Sequence, residues 1–462
     1  MSLYEQFNQI FHPRSVAIVG ASKDPDKVAS LCLANVMSNG YLGQLYPVNP
    51  GLEELAGLKV YPSVKSIPEE VDLVLIAVPA ATAVSVVEDC ATKGVRGVIL
   101  ITGGFKEVGT EVGFNLQERL KALAGTNGMR VFGPNTLGLA NPGIGLNATF
   151  AAALDSLQAG PVAVAAQSGG MCGAITNALS ENNLGISKAV GLGNTVDVNF
   201  TDLLTYWAQD SDTKLIVLYV EGISDAAQFI KVAQETVKQK PVLVLKGGKH
   251  ERANAATLSH TGALAGKYEL YNAAFTQTGL MIVDDVIDLV DRTKALVLQS
   301  PARGNRVAIV STMGGPSVVM TDRCLDLGSK LADFSTDTWR KLRKLVPALT
   351  AVDNPVDIAW LADDSERCFS ILDTIMQDDG VDAVAGCISG TNYGGGFVKA
   401  ATDISRRWTK PITVCVTAGA KVASKQRAVL EKGGVPCYPY PEQAITGLSA
   451  VIKYGEILRM GN

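Results

Sequence analysis

His260 stands in the run SHTGALAG (259–266), with small or hydroxyl-bearing residues on both sides of it. Ser259, Thr261, Gly262 and Ala263 leave room for a ligand and a backbone to come close to the ring, where a bulky neighbour would exclude a phosphoryl group. An imidazole acts as a nucleophile when one nitrogen is free and the other is held by an orienting acceptor. Glu221, which ends the apolar run LIVLYVEG, is a candidate acceptor: its carboxylate would fix the tautomer and stabilise the ring as it gains positive character. Hydrogen bonds to charged groups contribute about 1.5–3 kcal/mol, enough to matter for orientation and rate. A phosphoryl group also needs a seat. Gln167-Ser168-Gly169-Gly170 closes another apolar run and opens a helical pattern over 171–181, so converging N–H groups and the helix dipole would favour a dianion there. Each feature has a plainer reading too: a structural histidine, a solvated strand-end carboxylate, a tight turn.

The elements that would position these residues are short apolar runs bounded by Gly, Pro and Asn, the pattern of buried parallel strands. SVAIVGAS (15–22), QLYPVNP (44–50), DLVLIAVP (72–79), GVILITGG (97–104) and RVFGPN (130–135) make a first set, with segments such as AATAVSVVEDCATKG as crossover helices. A second set runs from PVAVAAQSGG (161–170) through SKAVGLGN, KLIVLYVEG and PVLVLKGG to MIVDD (281–285). A third begins at RVAIVSTMGG (306–315) and includes DAVAGCISG and PITVCVTAG. The last two sets echo each other: VAVAAQSGG aligns with VAIVSTMGG without a gap, GNTVDV with DNPVDI, and KPVLVLKGG with KPITVCVTAG. Two copies of one α/β unit explain this better than a solenoid, whose period is shorter. The expected class is α/β: a Rossmann-like domain over 1–150, then flavodoxin-like parallel-sheet domains over 151–300 and 301–462, with a linker at SPARGN (300–305).

In the first set, Gly20-Ala21-Ser22 follows a strand and precedes a helical pattern from Val28, a site that suits a phosphate as well as a structural turn. It is not a dinucleotide loop. The fingerprint GxGxxG is missing after Gly20, and the second strand ends Val48-Asn49-Pro50 where a ribose-binding carboxylate would stand. These absences disfavour an NAD(P)-dependent oxidoreductase.

The loops SVAIVGAS, YPVNP, AVPA (77–80), ITGGF (101–105) and GPNTLG (133–138) fall at successive strand ends. In order and spacing they resemble the CoA-binding domain of the succinyl-CoA synthetase superfamily, the ADP-forming acetyl-CoA synthetases most closely. That resemblance implies that Gly20, Ala21, Ser22 and Lys27 face the CoA phosphates, while Asn49, Pro50, Pro79, Thr102, Gly103 and Asn135 contact the rest of the molecule. Thr136 stands where many relatives have Cys. QSGG, Glu221 and SHTGALAG resemble, in that order, the catalytic domain of acyl-CoA synthetases that form ADP or GDP; GLGNTVDVN (191–199) matches a family loop and retains Asp197. STMGGPS and NPVDI carry the resemblance into the third set, where no histidine follows and a scaffolding or subunit-contact role is expected.

The resemblance implies an acid–thiol ligase that converts carboxylate, CoA and ATP reversibly into acyl-CoA, ADP and phosphate. An acyl phosphate and a phosphohistidine at His260 are the successive carriers, and Gln167, Ser168, Gly169 and Gly170 are the phosphate seat. The family also needs an ATP-grasp domain for ATP/ADP and Mg²⁺. The three sets account for the chain, so that domain is expected on a separate beta subunit, in a heterotetramer. A non-catalytic CoA or acyl-CoA sensor, and a CoA transferase with Glu221 as nucleophile, remain alternatives.

Composition narrows the classes further. Hydrophobic residues make up 47% and charged residues 19%, which supports sizeable cores. The net charge of −4 carries no basic stripe for nucleic acid. Eight cysteines without CxxC pairs, and three histidines, argue against a zinc site or a disulfide framework. The start lacks a secretory signal and the longest apolar stretch, 73–87, is too short to span a membrane, so a soluble cytoplasmic protein is expected.

Overall fold

The computed structural model describes residues 2–151, 154, 157–250, 252–253, 267–390 and 394–461. They form two compact units, Met1–Val286 and Ile287–Asn462.

The first unit holds two sheets. Strands β1 (Ser15–Val19), β2 (Gln44–Val48), β5 (Leu73–Ile76), β6 (Gly97–Leu100) and β7 (Arg130–Phe132) form a parallel sheet in the order β2-β1-β5-β6-β7; β3 (Glu54–Leu55) and β4 (Leu58–Lys59) make a separate hairpin. β1, β5 and β6 are buried at every position, as expected for strands covered on both faces by crossover helices. The second sheet runs β14-β13-β12-β10-β11-β8-β9, with β8 (Gly138–Asn141), β9 (Leu146–Thr149), β10 (Ala159–Ala166), β11 (Ile186–Gly191), β12 (Leu215–Val220), β13 (Val242–Lys246) and β14 (Met281–Val283). The strand-rich runs read from the sequence are therefore all strands. The addition is the antiparallel hairpin β8–β9, which pairs with β11 and extends the second sheet.

The second unit contains a third sheet in the order β16-β15-β18-β19-β20, with β15 (Arg306–Ser311), β16 (Lys330–Leu331), β17 (Val356–Asp357) paired to β15, β18 (Ala383–Gly390), β19 (Ile412–Ala418) and β20 (Cys437–Tyr438). Counting the parallel strands in chain order, and leaving out the two-residue β17 that lies off the main path, all three sheets have the order 2-1-3-4-5, so the internal echo extends to topology. This is the flavodoxin-like winding, whose ligand crevice lies at the carboxyl ends of strands 1 and 3. In the first two sheets those ends belong to β1 and β5, and to β10 and β12.

An aromatic cluster fastens the first two sheets together. Phe7 and Phe11 of the helix Leu3–Phe11 pack on Phe132 of β7 and on Tyr206 of the helix Phe200–Gln209, with the Phe11 and Tyr206 rings stacked at 5.2 Å. Offset rings of this kind contribute about 0.5–1.5 kcal/mol beyond the area they bury. Arg130 adds a charged seam. Its side chain, 12% exposed, pairs with Asp197 at 3.0 Å and Asp202 at 3.1 Å, and lies 5.0 Å from the centre of the Phe7 ring. Asp197 also accepts the Val131 N–H at 2.8 Å. The retained aspartate of GLGNTVDVN thus has a structural task, tying the loop after β11 to the last strand of the first sheet.

Candidate active site

Strand ends of the first two sheets open onto one cleft of about 520 Å³. The first sheet supplies Ala77–Pro79, Ile101–Gly103 and Asn135–Leu137; the second supplies Gln167–Gly170 and Gly193–Asn194, and Phe150 joins from the end of β9. Pro79, Thr102, Gly103 and Asn135 therefore share a cavity with Gln167, Ser168, Gly169 and Gly170. Gly20, Ala21, Ser22, Lys27, Asn49 and Pro50 lie at the neighbouring strand ends and do not line it, although Val28, next to Lys27, does.

Local chemistry explains the shape of these loops. Gly20 has φ +95°, and a Cβ there would come within 2.8 Å of the Ala77 carbonyl oxygen; glycine is what lets the loop after β1 lie against the loop after β5. Asn49 donates from Nδ2 to the Ala21 carbonyl at 2.7 Å and accepts the Gly51 N–H at 2.8 Å, so its amide joins the loops after β1 and β2. Thr102 donates from Oγ1 to the Val78 carbonyl at 2.7 Å, and the Asn135 N–H donates to the Thr102 carbonyl at 3.0 Å. Thr136 is buried; its hydroxyl donates to Gly191 O and accepts the Gly138 N–H at 3.1 Å, tying the turn after β7 to the second sheet.

Sequence reasoning passed over Glu107. Its Oε1 accepts the N–H groups of Gly104 (2.6 Å) and Phe105 (3.1 Å), and its Oε2 accepts from Asn194 Nδ2 at 2.6 Å. Burial works to raise its pKa, but the bonds from Asn194 and the loop amides outweigh that and hold it below the usual carboxylate range. This clasp holds the ITGGF and GLGN loops together. The carboxylate a few residues past a Gly-Gly turn was a visible signal; the partner 87 positions away was not.

The helix Gly169–Glu181 starts at the cleft. Ser168 caps it by accepting the Met171 N–H at 3.3 Å. The amides of Gly169 and Gly170, in the first turn, have no intrahelical acceptor and are available to an anion. Gln167 locks this loop to the end of β12: Oε1 accepts the Glu221 N–H at 2.6 Å and the Gly222 N–H at 3.0 Å, while Nε2 donates to the Gly222 carbonyl at 2.9 Å. Glu221 is 5% exposed. Around it stand Tyr219, whose hydroxyl is pushed up to about 12 by burial and by the Glu221 carboxylate it bonds, and the buried Lys246. Lys246 Nζ donates to the carbonyls of Glu221 (2.9 Å) and Gly247 and sits 4.6 Å from the Tyr271 ring centre. Burial lowers its pKa, against the raising influence of Glu221. His260 and the SHTGALAG run lie outside the described residues.

Among the described residues no cluster of three or more His, Cys, Asp or Glu is arranged for a metal, and no helix is long and apolar enough to cross a membrane. The eight cysteines are all buried and free.

Comparison with known proteins places these parts. A CoA binding domain model matches residues 14–142, a succinyl-CoA ligase like flavodoxin domain matches 159–296, and a ligase-CoA domain matches 307–371. The alpha subunit of acetate–CoA ligase [ADP-forming] II from Pyrococcus furiosus is 37% identical over 96% of this chain and 96% of its own length. Acetate–CoA ligase [ADP-forming] I from Archaeoglobus fulgidus is 37% identical over 97% of this chain, which spans 64% of that longer relative. The solved structure of the dinucleotide forming acetyl-coenzyme A synthetase 1 of Ca. Korarchaeum cryptofilum, in complex with phosphate and ADP, superposes with a TM-score of 0.90 at 34% identity, covering 98% of both chains.

Proposed function

The chain belongs to the alpha-subunit family of the ADP-forming acetate–CoA ligases, and we propose that it is the CoA-binding, phosphohistidine-carrying half of such an enzyme, with His260 as the carrier. One observation carries the reading: the Gln167 amide joins the glycine helix start to the strand end of Glu221, and that helix start opens onto the cleft walled by the CoA-domain loops.

The steps follow from that arrangement. CoA lies along the loops after β1, β5, β6 and β7, with its thiol end toward Ser168–Gly170. Phosphate held by the Gly169 and Gly170 amides attacks the acyl carbonyl of acyl-CoA; the C–S bond breaks, and acyl phosphate and CoA form. A nitrogen of His260 then attacks phosphorus, the P–O bond to the acyl group breaks, and the carboxylate departs. Glu221 accepts a hydrogen bond from the other ring nitrogen and balances the charge the ring gains. Transfer from phosphohistidine to ADP yields ATP and returns the neutral ring. Catalysis beyond the covalent relay is positioning and charge stabilisation of the phosphoryl group.

ADP and Mg²⁺ would be held by a separate ATP-grasp subunit, in a heterotetramer. The subunit names of the Pyrococcus relatives, and the greater length of the Archaeoglobus relative, support that partner.

The test is to incubate the co-purified subunits with acyl-CoA and labelled phosphate, then assay for protein-bound label that is acid-labile and base-stable. Label is expected in the wild type and lost in His260→Asn. Absence of label in the wild-type complex, or its persistence in the variant, overturns the assignment.

A further inference from the structure

A second, smaller cavity of about 270 Å³ lies beside the first and shares Gln167 with it. Its lining brings Lys106, from the turn that follows ITGGF, together with the apolar Phe200, Ile223 and Phe229 and the polar Asn199, Thr201 and Ser224. Gly222, next to Glu221, also lines it. Its size falls below the roughly 300–1,000 Å³ of sites for drug-sized ligands, so it suits a small molecule.

Lys106 is half-buried, and among the described residues it is surrounded by charges but receives no hydrogen-bond acceptor for its ammonium. The charges facing it are Glu107, Glu118 and Lys121. Glu107 is already engaged by Asn194 and two loop amides, and Asp225, which also lines the cavity, accepts the Gln228 N–H at 3.0 Å. A part-buried ammonium that none of the described residues bonds is open to a charge-assisted hydrogen bond with an anionic ligand. Thr195, in the same lining, has φ +54°. A β-branched residue rarely adopts that conformation, and such strain concentrates at ligand sites.

A small cavity that holds one cation, several hydroxyl and amide groups and three apolar side chains suits a short carboxylic acid with a hydrocarbon end. We propose that this cavity receives the carboxylic acid substrate, with Lys106 against its carboxylate and Phe200, Ile223 and Phe229 against its hydrocarbon part. The assignment rests on the ligase reading above and deepens it. The shared Gln167 would present the carboxylate at the edge of the CoA cleft. Inorganic phosphate has no use for the phenylalanine wall, which is why the acid is favoured as occupant.

The experiment uses the co-purified complex in the acyl-CoA-forming direction, with acetate, isobutyrate and phenylacetate as probes. Lys106→Met should raise KM for the acid at least tenfold while KM for CoA and ATP stays within twofold, and Lys106→Arg should recover part of the loss. Ile223→Ala should shift preference toward the larger acids. In the wild-type complex, saturating acid should slow reductive methylation of Lys106, read by mass spectrometry, which needs no variant. The proposal is overturned if KM for CoA or ATP rises instead, if KM for the acid is unchanged, or if phosphate protects Lys106 and the acids do not. A wild-type complex that forms no acyl-CoA from any acid would instead sink the ligase reading itself.

Discussion

The Gln167 side-chain oxygen accepts the main-chain N–H of Glu221 at 2.6 Å, across 54 residues of sequence. The glycine-rich helix start and the strand end of Glu221 are thereby held as one piece, since the same amide also bonds both main-chain polar groups of Gly222. Gln167→Leu would leave these three buried groups unsatisfied, each at about 1–3 kcal/mol. Chemical denaturation should show a loss of at least about 2 kcal/mol, and phosphate labelling of the complex should fall with it. Gln167→Glu should lose less, because a carboxylate still accepts both N–H groups and fails only opposite the Gly222 carbonyl.

Gly20→Ala should weaken CoA binding at least tenfold by calorimetry, because its Cβ would meet the Ala77 carbonyl at 2.8 Å at a φ of +95°. Strain of the left-handed backbone alone costs about 1–2 kcal/mol. Gly173→Ala is the control. Gly173 lies within the helix Gly169–Glu181 with nothing within 4 Å of an added Cβ, so the change should stabilise by about 0.5–1 kcal/mol.

Arg130→Met should be the most destabilising of the surface-distant changes in the first unit. It would leave Asp197 and Asp202, with side chains 16% and 18% exposed, without their cation. Breaking one side of a fully buried pair costs about 3–5 kcal/mol, and this part-buried one should cost somewhat less. Arg130→Lys should rescue poorly, because one ammonium cannot reproduce the fork that reaches both carboxylates. Urea denaturation of the three proteins gives the comparison.

The Glu107 clasp predicts an acid limb to stability. Its pKa in the folded protein lies below the ordinary 4.5, so the stabilisation is fully present above that value and is lost as pH falls through the folded-state pKa. Asp72, which burial works to raise, is nevertheless lowered by its bonds to Arg14 and Arg96 and adds to the same limb. Denaturation midpoints should therefore hold steady from pH 7 to about 5 and drop below 4.5. In Glu107→Gln that drop should be shallower; an identical slope would show that the clasp carries no charge-dependent stability.

Much of the site was legible before the fold. QSGG, Glu221, AVPA, ITGGF and GPNTLG each end a strand-like run, and a parallel sheet gathers the carboxyl ends of its strands along one edge. Residues at such ends meet without further information. Gly20, Ser22 and Asn49 were legible as loop residues for the same reason, yet the Gly20 N–H goes to Val48, the Asn49 amide to Ala21 and the Ser22 hydroxyl to the Asp24 N–H of its own turn, and the cleft lining is left to Pro79, Thr102 and Asn135. The hairpin Gly138–Thr149 was not legible. Short strands around PGIG read as loop until β11 offers them an edge to pair with.

By itself the sequence determined the main parallel strands, the repeat of one α/β unit and the glycine turns, because periodicity and turn chemistry act within a few residues. Only the tertiary structure decided what those turns face. Glu107 meets Asn194 across 87 positions, Arg130 meets Asp197 across 67, and Lys106 and Phe229 come to line one cavity. Such pairings depend on how two sheets dock, and docking is set by the summed packing of buried faces, which no local pattern encodes.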